Sequence, residues 1–396
     1  MGKLNVWYHR VFDVLSKDEK LVILAVASLY IHYVLSIIMI GGIVIYLVKE
    51  GRLKGIIQEV PRSLFVLVFC VITTIVALLY QNWLGAACGV GILVLFLFIF
   101  YYRTVATKQM FEIMIDVCCV LSLLCVAYAC VEYAFISKRI GHAVTELFVA
   151  NSPKNRVHVG FFNANYYAMM IEFSILMIFY KGMQWKSIRH TLFYVICAGA
   201  NLFALLLTGC RTAWVPFVVS VPVLILCCRM YKLFGLSIVG IGGAITLVLM
   251  NPTLLKRAAF IAKDFAKREQ IWTTAIKGIQ AHPLFGEGPL TYYKIYPLYD
   301  GHPTQHAHNI FLDPILSHGV IPVLIIAVYF GNNVKDVVRL LTRKVDVAMF
   351  GLITSFVITI ILHGLLDYTV YWVQTGALFL VIFSSSSIYF KGKGKR

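Results

Sequence analysis

"LVILAVASLYIHYVLSIIMIGGIVIYLV", residues 21–48, is almost unbroken in its apolar character. Whether it crosses a membrane once or twice sets the sidedness of everything that follows. At about 1.5 Å per helical residue it reaches roughly 42 Å, against a hydrocarbon core of about 30 Å. It is either one strongly tilted helix or two short ones, broken near Tyr33 or at Gly41-Gly42. Ten clearer apolar runs follow, at 63–80, 84–102, 111–136, 161–181, 189–208, 214–231, 233–250, 309–330, 346–366 and 369–389. Charge decides the first run. If it is a pair and the amino terminus lies inside, then 1–20, 49–62, 103–110, 181–189, 229–232, 331–345 and 390–396 all face one side. Together they hold 23 of the 35 Lys and Arg residues. The short turns opposite, 81–83, 209–213 and 367–368, hold only Arg211. The other basic residues sit in two long loops, 137–160 and 251–308, and long loops translocate regardless of charge. A single first span would put the basic segments 1–20 and 49–62 on opposite faces. The expectation is therefore about 12 transmembrane helices, with 251–308 as a long extracytoplasmic loop.

The bulk composition agrees. Of the 396 residues, 60% are hydrophobic and 13% charged, and mean hydropathy is +0.83. That much apolar surface needs lipid as its solvent, and runs this long are helices rather than barrel strands. The fold class is all-α: one polytopic membrane domain over 1–396, with 251–308 as a loop subdomain. A net charge of +17 reads as positive-inside bias, so no nucleic-acid partner is expected. Nearly all of the ten cysteines fall in apolar runs, where a thiol is a small hydrophobe. No secretory signal is visible, and Leu4, Trp7, Val11, Phe12 and Leu15 fall at the spacing of a short interfacial helix.

The chain lacks a P-loop, an H-E-x-x-H zinc motif and an Asp-x-Asp pair. The chemistry left on the expected outer face is basic and imidazole-bearing. "KDFAKREQIWTTAIKGIQ" (263–280) reads as an amphipathic helix carrying Arg268 and Trp272, ended by the Pro/Gly turn "HPLFGEGPL" (282–290). "GHPTQHAHNIFL" (301–312) then sets His302, His306 and His308 at the mouth of an apolar segment. Arg211 lies in "LTGCRTAW", while Arg156 and "GFFNANYYA" (160–168), with Asn165, lie where the other long loop re-enters. Guanidinium forks suit the oxygens of a diphosphate. A neutral imidazole among arginines is free to accept a proton. Plainer roles compete with these. Arg211 snorkels, Arg268 is a solvated charge, and Asn309 caps a helix. His302-x3-His306-x-His308 offers metal ligands, but no acid or thiol stands at a supporting spacing. Asp116, Glu132 and Glu172, buried in spans, mark either an ion path or pairing between helices.

Taken together, these stretches resemble the O-antigen ligase family, which includes related polymerases and protein O-oligosaccharyltransferases. "AHNIFLDPILSHGVIP" is similar to the family's His-Asn, nine residues, Gly-x-x-Gly pattern, with Pro322 in place of the second glycine. "LTGCRTAW" resembles its Ser-Arg-Ser/Thr-Ala segment, with Cys210 in place of serine. "REQIWTTAIKGIQAHPLFGEG" resembles Arg-x-x-x-Trp…His-Pro-Leu-x-Gly-x-Gly. "GFFNANYYA" resembles Gly-x-Phe-x-Asn-x-Asn, with Ala164 where proline is common. The resemblance spans about residues 156–322. It implies a membrane glycosyltransferase of the GT-C type in a bacterial inner membrane, with its site facing the periplasm or exterior. Such an enzyme moves a glycan from undecaprenyl diphosphate to an acceptor hydroxyl on a glycan or lipid, with no metal or other cofactor and with inversion. By the same resemblance His308 is the general base and Arg211 and Arg268 bind the diphosphate. His306, Asn309, Asn165, Arg156 and Trp272 are expected to support the site or touch substrate. Ligase and polymerase share these motifs, so the acceptor stays open. A flippase for the same lipids would favour inverted repeats, and none is seen.

Overall fold

The computed structural model describes residues 14–145, 155–250 and 252–390, without the side chains of 248 and 252–264. The Leu4–Phe12 stripe lies outside them. The first apolar run is two helices, α1 (Lys17–Ser28) and α2 (Tyr33–Lys49). Ser16 opens α1 with a reciprocal box, its hydroxyl accepting from the Glu19 amide while the Glu19 carboxylate accepts from the Ser16 amide. His32 opens α2, its Nδ1 accepting from the Val34 amide at 3.3 Å. The break falls beside Tyr33, and Gly41-Gly42 lie inside α2. The chain doubles back completely, because Arg52 pairs with Asp18 at 2.6 Å.

The chain continues as α3 (Leu53–Glu59), α4 (Ser63–Leu79), α5 (Trp83–Val105), α6 (Lys108–Ile140), α7 (Ala164–Gly182), α8 (Ile188–Thr208), α9 (Trp214–Cys227) and α10 (Tyr231–Met250). Then come α11 (Pro252–Ala281), α12 (Thr291–Ile295), α13 (Leu312–His318), α14 (Val320–Thr342), α15 (Val347–Gly364) and α16 (Val373–Ser384). Among the described residues five helices, α5, α6, α8, α14 and α15, are long and apolar enough to cross a membrane. The pair α2 and α3, bent by 103°, makes up to six, and α4, α9 and the segments 231–247 and 373–389 are shorter apolar helices. The molecule is thus an all-α polytopic membrane protein, and its described residues supply five or six full-length candidate spans beside shorter apolar helices, where 12 spans were expected. At 12 residues, α1 extends only about 18 Å and cannot cross alone. Large apolar side chains stand on the outside, among them Leu79 and Ile188 at 76% exposure and Phe135 at 71%. That surface needs lipid contact. By contrast α7 is buried along nearly its whole length, a central post for the bundle.

Contacts sort the connecting segments onto two ends. At one end the Thr107 hydroxyl donates to Glu19, Lys108 pairs with Asp346 and Lys181 with Glu112, and the Tyr389 hydroxyl donates to Asp346. With Arg52–Asp18, these join segments expected to share the inner face. At the other end Gly160 packs on the Ile31 carbonyl, and the Asn82 amide donates to the Pro289 carbonyl at 2.8 Å. The acids expected in the spans are partnered, although only Glu172 is buried and Asp116 and Glu132 are half-buried. Asp116 pairs with Lys181 at 2.9 Å and accepts from Tyr194, Glu132 accepts from the His158 and Val159 amides, and Glu172 pairs with His363. Pairing between helices describes Asp116 and Glu172, whereas the partners of Glu132 belong to the loop residues 158–159.

The loop between α10 and α14 differs from expectation in two ways. Its helix, α11, runs to 30 residues rather than the 18 of 263–280. The apolar run 309–330 is not one helix but α13 and α14, broken at Gly319 with φ +73°. A small core of its own, with Ile271, Ala275, Tyr292, Ile295, Ala307 and Leu316, organises the loop. "HPLFGEG" is its foot. The His282 ring meets the Tyr80 hydroxyl at 3.0 Å, Lys294 donates to the Tyr80 carbonyl and pairs with Glu287, and Gly288 lies directly on Ala77.

Candidate active site

The segment 302–308 reaches the end of the bundle with no helix to hold it, and its last residue, His308, takes a left-handed backbone at φ +48°. A non-glycine residue there costs about 1–3 kcal/mol, so its surroundings must impose it. They do so through the side chain. His308 Nδ1 lies 2.7 Å from Asp367 Oδ1, and Nε2 lies 2.9 Å from the Thr304 hydroxyl. Asp367 follows α15 and is 2% exposed. Its second oxygen accepts from the Asn165 side-chain amide. Asn165 in turn accepts from Arg156 Nη2 at 2.6 Å, and Arg156 Nε donates to the Thr208 carbonyl at 2.7 Å. One chain of hydrogen bonds thus runs from the imidazole through α7 to the end of α8.

Electrostatics fixes the protonation of this chain. Burial alone would raise the Asp367 carboxyl, but His308 beside it overrides burial and holds it well below the usual carboxylate range. An ionised Asp367 keeps the proton of a neutral His308 on Nδ1, leaving the Nε2 lone pair toward Thr304. His306, ring centroid 4.4 Å from that of His308, is pushed down to about 3, first by burial and then by His308. It is a neutral neighbour, its Nε2 3.4 Å from the Tyr166 hydroxyl and its Nδ1 accepting from the His308 amide.

The remaining candidates are placed as follows. Arg268 Nε donates to the Leu366 carbonyl at 2.7 Å, one residue from Asp367. Arg211 is exposed in the turn between α8 and α9, whose Thr208 holds Arg156 and whose Thr212 lies 3.5 Å from His363 Nε2. The stretches bearing Arg156, Asn165, Arg211, Arg268 and His308 therefore meet around residues 363–367. Asn309 shapes the turn that leads into α13 rather than capping the helix itself, which starts after Phe311: its side-chain oxygen accepts from the Phe311 and Leu312 amides, and its amide donates to the Leu365 carbonyl. Trp272 packs edge-on to Phe265 against the loop's small core, a backing to the site rather than a hydrogen-bonded part of it. His302 contributes its carbonyl, which accepts from Tyr292.

Asp367 corrects the expectation that no acid supports the histidines. Ligand atoms of His306, His308 and Asp367 all lie within 4.8 Å of one another, a donor set suited to zinc. Yet Nδ1 and Oδ1 at 2.7 Å are closer than two ligands of one tetrahedral zinc, which sit about 3.3 Å apart when the bonds are about 2.0 Å. As placed, His308 and Asp367 form a hydrogen-bonded pair with the His306 ring beside it. The missed residues, Asp367 and Thr304, left faint traces. A survey of outer turns for Lys and Arg passes over the lone acid in 367–368, and Thr304 stands four residues before His308.

Residues 194–327 match the family model described as O-Antigen ligase. The match takes in Arg211, the whole loop and His308, and leaves Arg156, Asn165, His363 and Asp367 outside. A comparison with curated proteins gives no match.

Proposed function

We propose, from the premise that residues 194–327 are an O-antigen ligase family domain, that this protein transfers a glycan from undecaprenyl diphosphate to an acceptor hydroxyl. The acceptor is lipid A-core or another cell-surface glycan or lipid, and the site faces the exterior of a bacterial inner membrane. The observation that carries this reading is the His308–Asp367 pair. Asp367 fixes the tautomer, and His308 Nε2 takes the acceptor's proton as its oxygen attacks the anomeric carbon. The Thr304 hydroxyl lies 2.9 Å from Nε2, and an acceptor hydroxyl would take its place there. The bond from the anomeric carbon to the diphosphate breaks, and the diphosphate leaves with the electron pair. Arg211 and Arg268 stabilise its growing charge, while Arg156 and Asn165 hold Asp367 in line. The carrier's own diphosphate bond drives the transfer, and a single displacement inverts the anomeric carbon.

The test is reconstitution of the purified protein with a defined undecaprenyl-diphosphate glycan and candidate acceptors, reading products by gel. Label on a new lipid identifies a ligase, and lengthened carrier-bound chains identify a polymerase of the same chemistry. His308→Ala and Arg211→Ala abolish both products while expression persists, and chelators change nothing. Wild-type turnover by His308→Ala removes the proposed base. Movement of intact carrier across the bilayer, without transfer, replaces the reading with a flippase.

A further inference from the structure

Two turns below the mouth of the site, a second set of polar groups has no part in the chemistry above. Glu172 and His363, 2% and 0% exposed, pair at 2.8 Å between Oε2 and Nδ1. They stand on the same two elements as the site. Glu172 is seven residues along α7 from Asn165, and His363 is one helical turn before Asp367. The helices α7 and α15 are therefore tied twice, at the mouth by Asn165–Asp367 and deeper by Glu172–His363. The other face of the His363 ring addresses the turn between α8 and α9. Its Nε2 lies 3.5 Å from the Thr212 hydroxyl, and that hydroxyl lies 3.2 Å from the buried Cys210 thiol. Between Cys210 and Thr212 stands Arg211.

A buried ion pair is a costly way to hold two helices together, and an apolar pair of similar volume often stabilises as well or better. What an apolar pair lacks is direction. An imidazole held on one side by a carboxylate points its other nitrogen along a fixed line, and here that line ends on Thr212, the residue after Arg211. We infer that Glu172 and His363 are positioning residues for Arg211: they set the Gly209–Ala213 turn so that its guanidinium meets the departing diphosphate. The inference rests on the proposed role of Arg211. It gives these two residues no part in moving ions through the bundle.

A double-mutant cycle on the purified full-length protein tests this, with turnover and donor KM measured for each variant. Arg211→Lys keeps the charge and is expected to retain partial activity. His363→Ala lowers kcat/KM for the lipid-linked donor about tenfold or more, whereas in the Arg211→Lys background it adds less than about threefold, the non-additivity of residues acting through one another. Thr212→Val removes the hydroxyl that meets His363 and Cys210 and leaves the Glu172–His363 pair in place. It shows the same dependence on Arg211, and so keeps the test open if His363→Ala folds poorly. Losses that multiply in both cycles overturn the inference and leave the function standing. Arg211→Ala with full turnover overturns the role of Arg211, and the positioning scheme with it.

Discussion

His308 is held by its side chain rather than by secondary structure, so the Asp367 contact carries both its position and its tautomer. Asp367→Asn keeps the volume and one hydrogen bond but can present an N–H to Nδ1, favouring the tautomer with its proton on Nε2. Turnover is expected to fall about 100- to 10,000-fold with little change in donor KM, measured on purified protein; unchanged kcat would detach Asp367 from the base. A second expectation concerns acid. His306 is neutral in the fold with its pKa pushed down to about 3, while an unfolded chain takes up that proton near 6.5. The unfolded state binds the extra proton between those values, so stability is fully present above about pH 6.5 and falls as pH drops toward 3. Asp367, held below its ordinary value, adds a loss in the same direction as pH falls below about 4. His306→Gln is expected to flatten the Tm–pH profile between 6.5 and 4, and a slope equal to wild type would exclude His306 as its source. At this scale the sequence disclosed chemical types more readily than partners. Histidine and arginine are conspicuous at a membrane mouth because lipid penalises them, whereas Asp367 meets His308 across 59 positions and carries no local mark.

Two motifs that read as separate recognition signals are, as elements, one joint. The Val320 amide donates to the Pro283 carbonyl at 2.9 Å, Ile321 to Leu284 at 3.1 Å and Gly288 to Ser317 at 2.8 Å. "HPLFGEG" and the start of α14 thus bond backbone to backbone. Nine residues separate Asn309 from Gly319 because α13 must run from the Asn309 turn to this joint. A Cβ on Gly319 would stand 2.3 Å from the Leu284 carbonyl carbon, at φ +73°. Gly319→Ala is expected to cost about 3 kcal/mol or more and to open the loop to limited proteolysis near 282–290; wild-type cleavage would show that the joint yields cheaply. Pro322, standing where the second glycine was expected, falls in the first turn of α14, where a missing amide proton costs nothing. The periodicity of 263–280 revealed a helix but not its length, although Leu254, Ala258 and Ile261 continue the apolar spacing of Phe265 back toward the start of α11. Nor did the apolar run 309–330 reveal its break, because hydropathy is blind to a single glycine with positive φ.

For the whole molecule, counting Lys and Arg grouped segments that the structure then joins. Arg52–Asp18, Lys108–Asp346 and Tyr389–Asp346 tie together stretches as far as 238 residues apart, at the end remote from His308. The grouping succeeds because it rests on a sum over many loops, whereas the number of full spans depends on helix lengths that hydropathy measures poorly. It says which segments lie together, and the positive-inside bias says which way they face. Exposed Gln305 and Lys344 mark the two ends. In a cysteine-free background, Gln305→Cys is expected to react with a membrane-impermeant thiol reagent on intact cells, and Lys344→Cys only after permeabilisation. The reverse pattern would put the imidazole in the cytoplasm, where a glycan displayed on the outer leaflet never reaches it. Orientation is therefore the most economical check on the chemistry: labelling of two engineered thiols decides whether His308, Asp367 and the arginines can meet the proposed donor at all.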